Sequence, residues 1–175
     1  MRRLIIGLVL LPALLLTALA GAVGVAGRSD ELAAVRAATA RFHDIDDALN
    51  AGYGPFYRCT DETGLGAMGQ HYVNGGLVGD AVLDPTAPEA IMYEPMPGGG
   101  QRLVGVEWVV FRSVWEAAGH TGVPSLFGRS LKLVNEPNRY GIPAFYQLHA
   151  WVWKPNPAGT YQDWNPRVSC RGTGD

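Results

Sequence analysis

The sequence predicts an α+β domain in which an N-terminal helix packs on a curved, mostly antiparallel sheet of the roll or cone kind. Three observations predict it. Asp30 to Ala51 contains neither Gly nor Pro and repeats apolar side chains at helical spacing. Beyond Ala90 the pattern changes to period two, in stretches rich in Val, Trp, Tyr and Phe. Between those stretches lie clusters of Gly, Pro and Asn, the residues that turn a chain.

The chain opens with Arg2 and Arg3, followed by an apolar run from Leu4 to Ala26 without a charge. This is the composition of an export signal, with Ala18 and Ala20, or Gly24 and Ala26, as small residues before a cleavage point. The run is also about as long as the ~20 residues that span a bilayer, so residues 1–27 read as a signal peptide or an N-terminal anchor. Residues 28–175 then form a single α+β domain, large enough to bury a core. With Arg2 and Arg3 set aside, 12 of the 14 basic residues face 16 acidic ones, a net charge of −4. Nothing in that balance suggests nucleic acid, and a membrane would be met only through an uncleaved N-terminal segment.

In the helix Asp30 to Ala51, Val35, Phe42, Ile45 and Leu49 form one apolar stripe, with Ser29 or Asp30 as cap and Gly52 as the stop. About forty residues dense in Gly, Pro and Asp follow, with only short strand candidates. Within them Gly64, Gly66 and Gly69 spell G-x-G-x-x-G, but the flanks lack the strand and the helix that a dinucleotide cradle needs, so no nucleotide is expected. The glycines read instead as turning the chain tightly and delivering His71 to the sheet. The strands expected next are Ala90 to Pro95, Arg102 to Phe111, Ser130 to Asn135 and Ala144 to Lys154, with a short helix over Ser113 to Gly119. "PMPGGGQ" reads as a hairpin turn between the first two.

Cys59 and Cys170 are the only cysteines. In a chain that reaches an oxidising compartment they predict one disulfide, tying the tail to the start of the domain.

Polar residues in apolar settings define the candidate site. Alternation places Glu107 with Leu103, Gly105, Val109 and Phe111, on a strand apolar on both faces. A carboxylate there needs an ion pair, a proton or a metal, and Arg102, Arg112 or Arg139 would serve as the ordinary ion-pair partner. His149 shares its face with Phe145, Gln147, Trp151 and Trp153, which resembles the lining of a ligand pocket. Asp46 projects close to Phe42 by the helical angle and reads as a further inward polar group, with His43 at the edge of that face. Candidate ligand-binding residues are therefore Asp46, Glu107, His149 and Trp151. Candidate metal ligands are His71, Glu107 and His149, a set suited to Zn²⁺ or a similar divalent ion. No serine-hydrolase elbow, H-E-x-x-H or P-loop is present.

The strings "MGQHYVN", "YGIPAFYQLHAWVWK" and "DWNPRVSC" resemble those of small exported bacterial proteins that carry no assigned function. The resemblance runs from the first helix to Cys170 and implies no mechanism. Taken together, the residues suggest an exported domain that binds a small ligand or metal ion at an interior His/Glu site. A structural or interaction domain with polar core residues is the alternative, followed by a roll-type enzyme using a pocket carboxylate and a histidine.

Overall fold

The structure is a computed structural model that describes residues 31–173. The export segment and the helix cap at Ser29 or Asp30 lie outside the described residues. The fold is α+β, built on a curled six-stranded antiparallel sheet that forms half a barrel. No helix among the described residues is long and apolar enough to cross a membrane.

The N-terminal helical region is interrupted, where the sequence predicts one continuous helix. Helix α1 spans 31–39, a 3₁₀ turn covers Ala40–His43, and α2 runs over Ile45–Asn50. Asp44 makes the break: its backbone is extended (φ −88°, ψ 117°) and its carboxylate accepts the N–H of Asp46 at 3.0 Å. An Asp that caps a new helix this way competes with continuation of the old one. The break resets the helical phase, so Val35, Phe42 and Ala48 are buried while Leu49 is exposed.

Strands β1 (Gly54–Glu62) and β2 (Gly66–Val73) form a long hairpin in the region where only short strands are expected. Gly64 sits in its turn, whereas Gly66 and Gly69 lie inside β2. A Cβ on Gly66 would stand 2.2 Å from the Asn165 carbonyl oxygen, and one on Gly69 would stand 2.4 Å from that of Tyr93. Both adopt positive φ, so these positions require glycine for backbone shape and for close approach.

A single turn, α3 (Gly75–Val78), is capped by the Asn74 side chain. Strand β3 (Ala90–Pro95) then pairs with β4 (Gln101–Phe111) through the expected Gly-rich hairpin. Helix α4 covers Arg112–Ala117. The two short strands β5 (Ser125–Leu126) and β6 (Arg129–Ser130) pair with each other, apart from the main sheet. Strand β7 (Lys132–Val134) joins β8 (Phe145–Ala150), completing the order β1-β2-β3-β4-β8-β7.

Two irregularities alter the predicted faces. Met92 pairs with Gly105 but Tyr93 pairs with Leu103, so Val104 is an extra residue and the alternation slips by one. Leu103 consequently joins Val106, Trp108 and Val110 on the face opposite Glu107. Strand β8 ends at Ala150: the Trp151 N–H leaves the ladder for the Thr160 carbonyl at 2.9 Å. Trp151 therefore packs with Ala67, Met92, Val104 and Val168, and its indole N–H donates to the Gln162 carbonyl. Trp153 donates to Thr39 Oγ1 at 3.1 Å.

One side of the sheet is filled by a core in which Val35, Phe42 and Ala48 share a cluster with Ile91, Trp108 and Leu148. Fully burying a side chain of the size of Val35, Phe42, Ile91 or Leu148 contributes roughly 1.5 to 3 kcal/mol. The disulfide Cys59–Cys170 closes a separation of 111 residues and anchors the tail to β1. It suits an oxidising environment. Beside it, Glu94 accepts from Lys154 Nζ at 2.6 Å and from the Ser169 N–H at 3.2 Å.

Candidate metal centre

On the sheet face away from that core, three strands each contribute one polar side chain. His71 comes from β2, Glu107 from β4 and His149 from β8. Glu107 and His149 are direct cross-strand partners, so their side chains rise on the same side. His71 lies opposite Met92, which in turn lies opposite Gly105, two residues before Glu107. The intervening strand offers only Ala90 beside Glu107, and this small side chain leaves space for the three to meet.

They do meet. His71 Nε2 stands 3.4 Å from His149 Nε2 and 3.4 Å from Glu107 Oε2, while His149 Nε2 is 3.5 Å from Glu107 Oε1. All three residues are buried, and one potential ligand atom from each lies within 4.8 Å of the others, so the group could hold a metal ion. Arg102, Arg112 and Arg139, the expected ion-pair partners of Glu107, pair instead with Glu94, Glu116 and Glu62.

A fourth residue supports the group from behind. Asp163 Oδ1 lies 3.3 Å from His149 Nδ1, an ion-pair separation without aligned hydrogen-bond geometry. Lys132 Nζ holds the other oxygen, and the Gln147 amide nitrogen approaches Oδ1 at 3.4 Å. A carboxylate behind a histidine fixes the ring and raises its basicity, as second-layer groups do around metals.

The charges follow from burial. Loss of solvent, and then the neighbouring His149, push His71 down to about 3, so it is a neutral imidazole with an available lone pair at physiological pH. Burial pushes Glu107 up, against the pull of His149. For His149 burial acts downward, but Glu107 and Asp163 outweigh it and its net shift is upward. Burial would raise Asp163, yet His149 and Lys132 hold it well below the usual carboxylate range.

His71 and Glu107 form part of the wall of a cavity of ≈ 90 Å³ that is otherwise mainly apolar, with Phe56, Val109, Phe111 and Phe145 among its walls. Tyr57 and Tyr140 meet edge to face there, ring centres 5.3 Å apart, and Tyr57 is 41% exposed. Tyr57 has φ +58°, within the irregular stretch of β1 between Phe56 and Thr60. Non-glycine residues hold that conformation at a cost of order 1 kcal/mol or more, often at functional sites.

Two of the candidate ligand-binding residues lie elsewhere. Asp46 is exposed, because the break at Asp44 turns α2 relative to the preceding turn. Trp151 is buried in a different cluster, because β8 stops before it. His43 packs edge-on against Trp153. Conversely, sequence reasoning gave no role to Asp163 or to Glu89, which is 1% exposed and accepts the Val109 N–H at 2.9 Å. Both lie outside regular strands, where periodicity carries no information about direction.

No family model matches the chain, and no curated protein or solved structure matches it.

Proposed function

We propose that the protein binds one divalent ion of the zinc type through His71 Nε2, Glu107 and His149 Nε2, with Asp163 orienting His149. The observation that supports this reading is the set of contacts at 3.4, 3.4 and 3.5 Å. Each is longer than the roughly 2.7–3.2 Å of a good N–H···O hydrogen bond. Donors bound at about 2.0–2.1 Å to a tetrahedral ion stand about 3.3–3.4 Å apart, close to what the side chains already display. Two imidazoles and one carboxylate match the donor preference of zinc and its neighbours. Three protein ligands leave a fourth position for a small molecule.

The same reading includes an exported setting, supported by Arg2, Arg3 and the apolar run after them. It also takes the N-terminal helical segment as a cover for the sheet, supported by the shared cluster of Val35 and Phe42 with strand residues.

A scaffold role for the cluster is the second reading, favoured by the partial balance of His149 against Glu107 and Asp163. Titration of chelator-stripped, tag-free protein with Zn²⁺ and Co²⁺, read by calorimetry and metal analysis, separates the two. One ion per chain is expected, with a raised melting temperature. Glu107→Gln should weaken binding at least about a hundredfold, beyond the 10–100-fold typical of second-layer changes. If neither ion binds and melting is unchanged in excess metal, the cluster only fixes packing.

A further inference from the structure

Resting on that reading, we propose that the fourth coordination position takes the carboxylate of a small aliphatic monoacid whose tail occupies the cavity beside His71 and Glu107. Three observations favour this class. The first is charge: a divalent ion held by Glu107 and two neutral imidazoles leaves a net +1, the Asp163 carboxylate behind His149 being balanced by Lys132, and Glu107 is the one carboxylate or cation among the described cavity walls. An uncompensated charge facing apolar walls is costly, and one anionic donor removes it. The second is wall chemistry. Three of the polar wall groups already have partners: Thr60 donates to the Arg58 carbonyl, the Gln147 amide nitrogen faces Asp163, and the Tyr140 hydroxyl contacts Met68 Sδ, while Tyr57 is 41% exposed to solvent. A tail with hydroxyl or amide groups would gain few hydrogen bonds and lose its water, so the tail should be hydrocarbon.

The third observation is size. A cavity of about 150 Å³ holds a six-carbon aromatic ring, so one of ≈ 90 Å³ fits a tail of about three or four carbons on the same scale. On that scale a branched tail of about four carbons fits and a six-carbon ring is too large. Tyr57 and Tyr140, in edge-to-face contact, also line the cavity.

The experiment uses Co²⁺-loaded protein and follows the visible spectrum while acetate, isovalerate, benzoate and neutral isovaleramide are added. Isovalerate should change the spectrum at a concentration at least about tenfold below that of acetate, since each buried methylene contributes about fourfold. Benzoate and isovaleramide should be weaker than isovalerate. Ile142→Trp and, separately, Val109→Phe narrow the cavity; each should reduce the isovalerate preference toward that of acetate while Co²⁺ affinity, which also reports folding, stays within about twofold. Co²⁺ binding with no response to isovalerate, or with equal response to acetate and isovalerate, overturns the inference and leaves the metal site standing. Failure to bind Co²⁺ at all overturns the metal reading and this inference with it.

Discussion

Glu89→Gln should make the protein's stability less sensitive to pH. The Glu89 carboxyl is 1% exposed, and burial pushes it from 4.5 up to about 8, despite the hydrogen bond it accepts from the Val109 N–H. The bond has a local reason. The β3–β4 ladder begins at Ala90 opposite Glu107, so the Val109 N–H extends past the end of β3 and Glu89 supplies the acceptor that no strand carbonyl provides. Between pH 4.5 and 8 the folded protein keeps the Glu89 proton and the unfolded chain releases it. The unfolded state then binds fewer protons, so the Glu89 contribution to stability is fully present below 4.5 and is lost as pH rises toward 8. A shift of this size corresponds to a loss on the order of 3 to 5 kcal/mol, or roughly 10 °C in melting temperature for a domain of this length. Gln keeps an acceptor for Val109 and has no proton to lose. Urea unfolding of chelator-treated wild type and Glu89→Gln at half-unit steps from pH 5 to 8 measures the effect. The buried His/Glu group is present in both proteins, and its Glu107 charge adds to the upward push on Glu89. Parallel profiles for the two would refute the assignment of a proton to Glu89.

Asp163→Asn should weaken Zn²⁺ binding about 10–100-fold by loosening His149, read by competition with a chromophoric chelator; unchanged affinity would remove Asp163 from the supporting role. Gly69→Ala places a Cβ 2.4 Å from the Tyr93 carbonyl oxygen at φ +91°. It should cost about 2 kcal/mol or more in urea unfolding and also weaken metal binding, because His71 lies two residues further along the strand; neutrality in both measurements would refute the close approach. Reduction of Cys59–Cys170 should lower stability by up to about 4 to 5 kcal/mol, from urea curves with and without reductant, and a change under about 1 kcal/mol would mean that the Glu94 contacts hold the tail unaided.

Residues whose immediate neighbours betray their surroundings were legible in the sequence. Glu107 interrupts a strand apolar on both faces, and His149 alternates with aromatic and amide side chains, so each could be named before the fold was known. The strands β3 and β4 and their hairpin were legible for the same reason. Asp46 and Leu103 were misplaced because both depend on a periodicity that one residue resets: Asp44 by capping a new helix, Val104 by bulging. Periodic reasoning has no means of seeing such a reset, since the local composition on either side is unchanged. The hairpin β1–β2 was obscured by its glycines. They resemble turn residues in composition, yet two of them serve close backbone contacts with Asn165 and Tyr93, which are distant in sequence.

Convergence is a different kind of fact from direction. Alternation along each strand says which way a side chain points, but His71, Glu107 and His149 meet because of register across four strands. Glu107 opposes His149 directly, whereas His71 reaches them across β3, over Ala90 and beside Gly105. A larger residue at Ala90 would crowd Glu107, its direct cross-strand partner. At Gly105 a Cβ would fall 2.6 Å from the Met92 methyl and 2.7 Å from the Ala150 carbonyl oxygen. The small residues around the site therefore define it as much as the ligands do: they let three strands bring side chains of unrelated sequence position to one point.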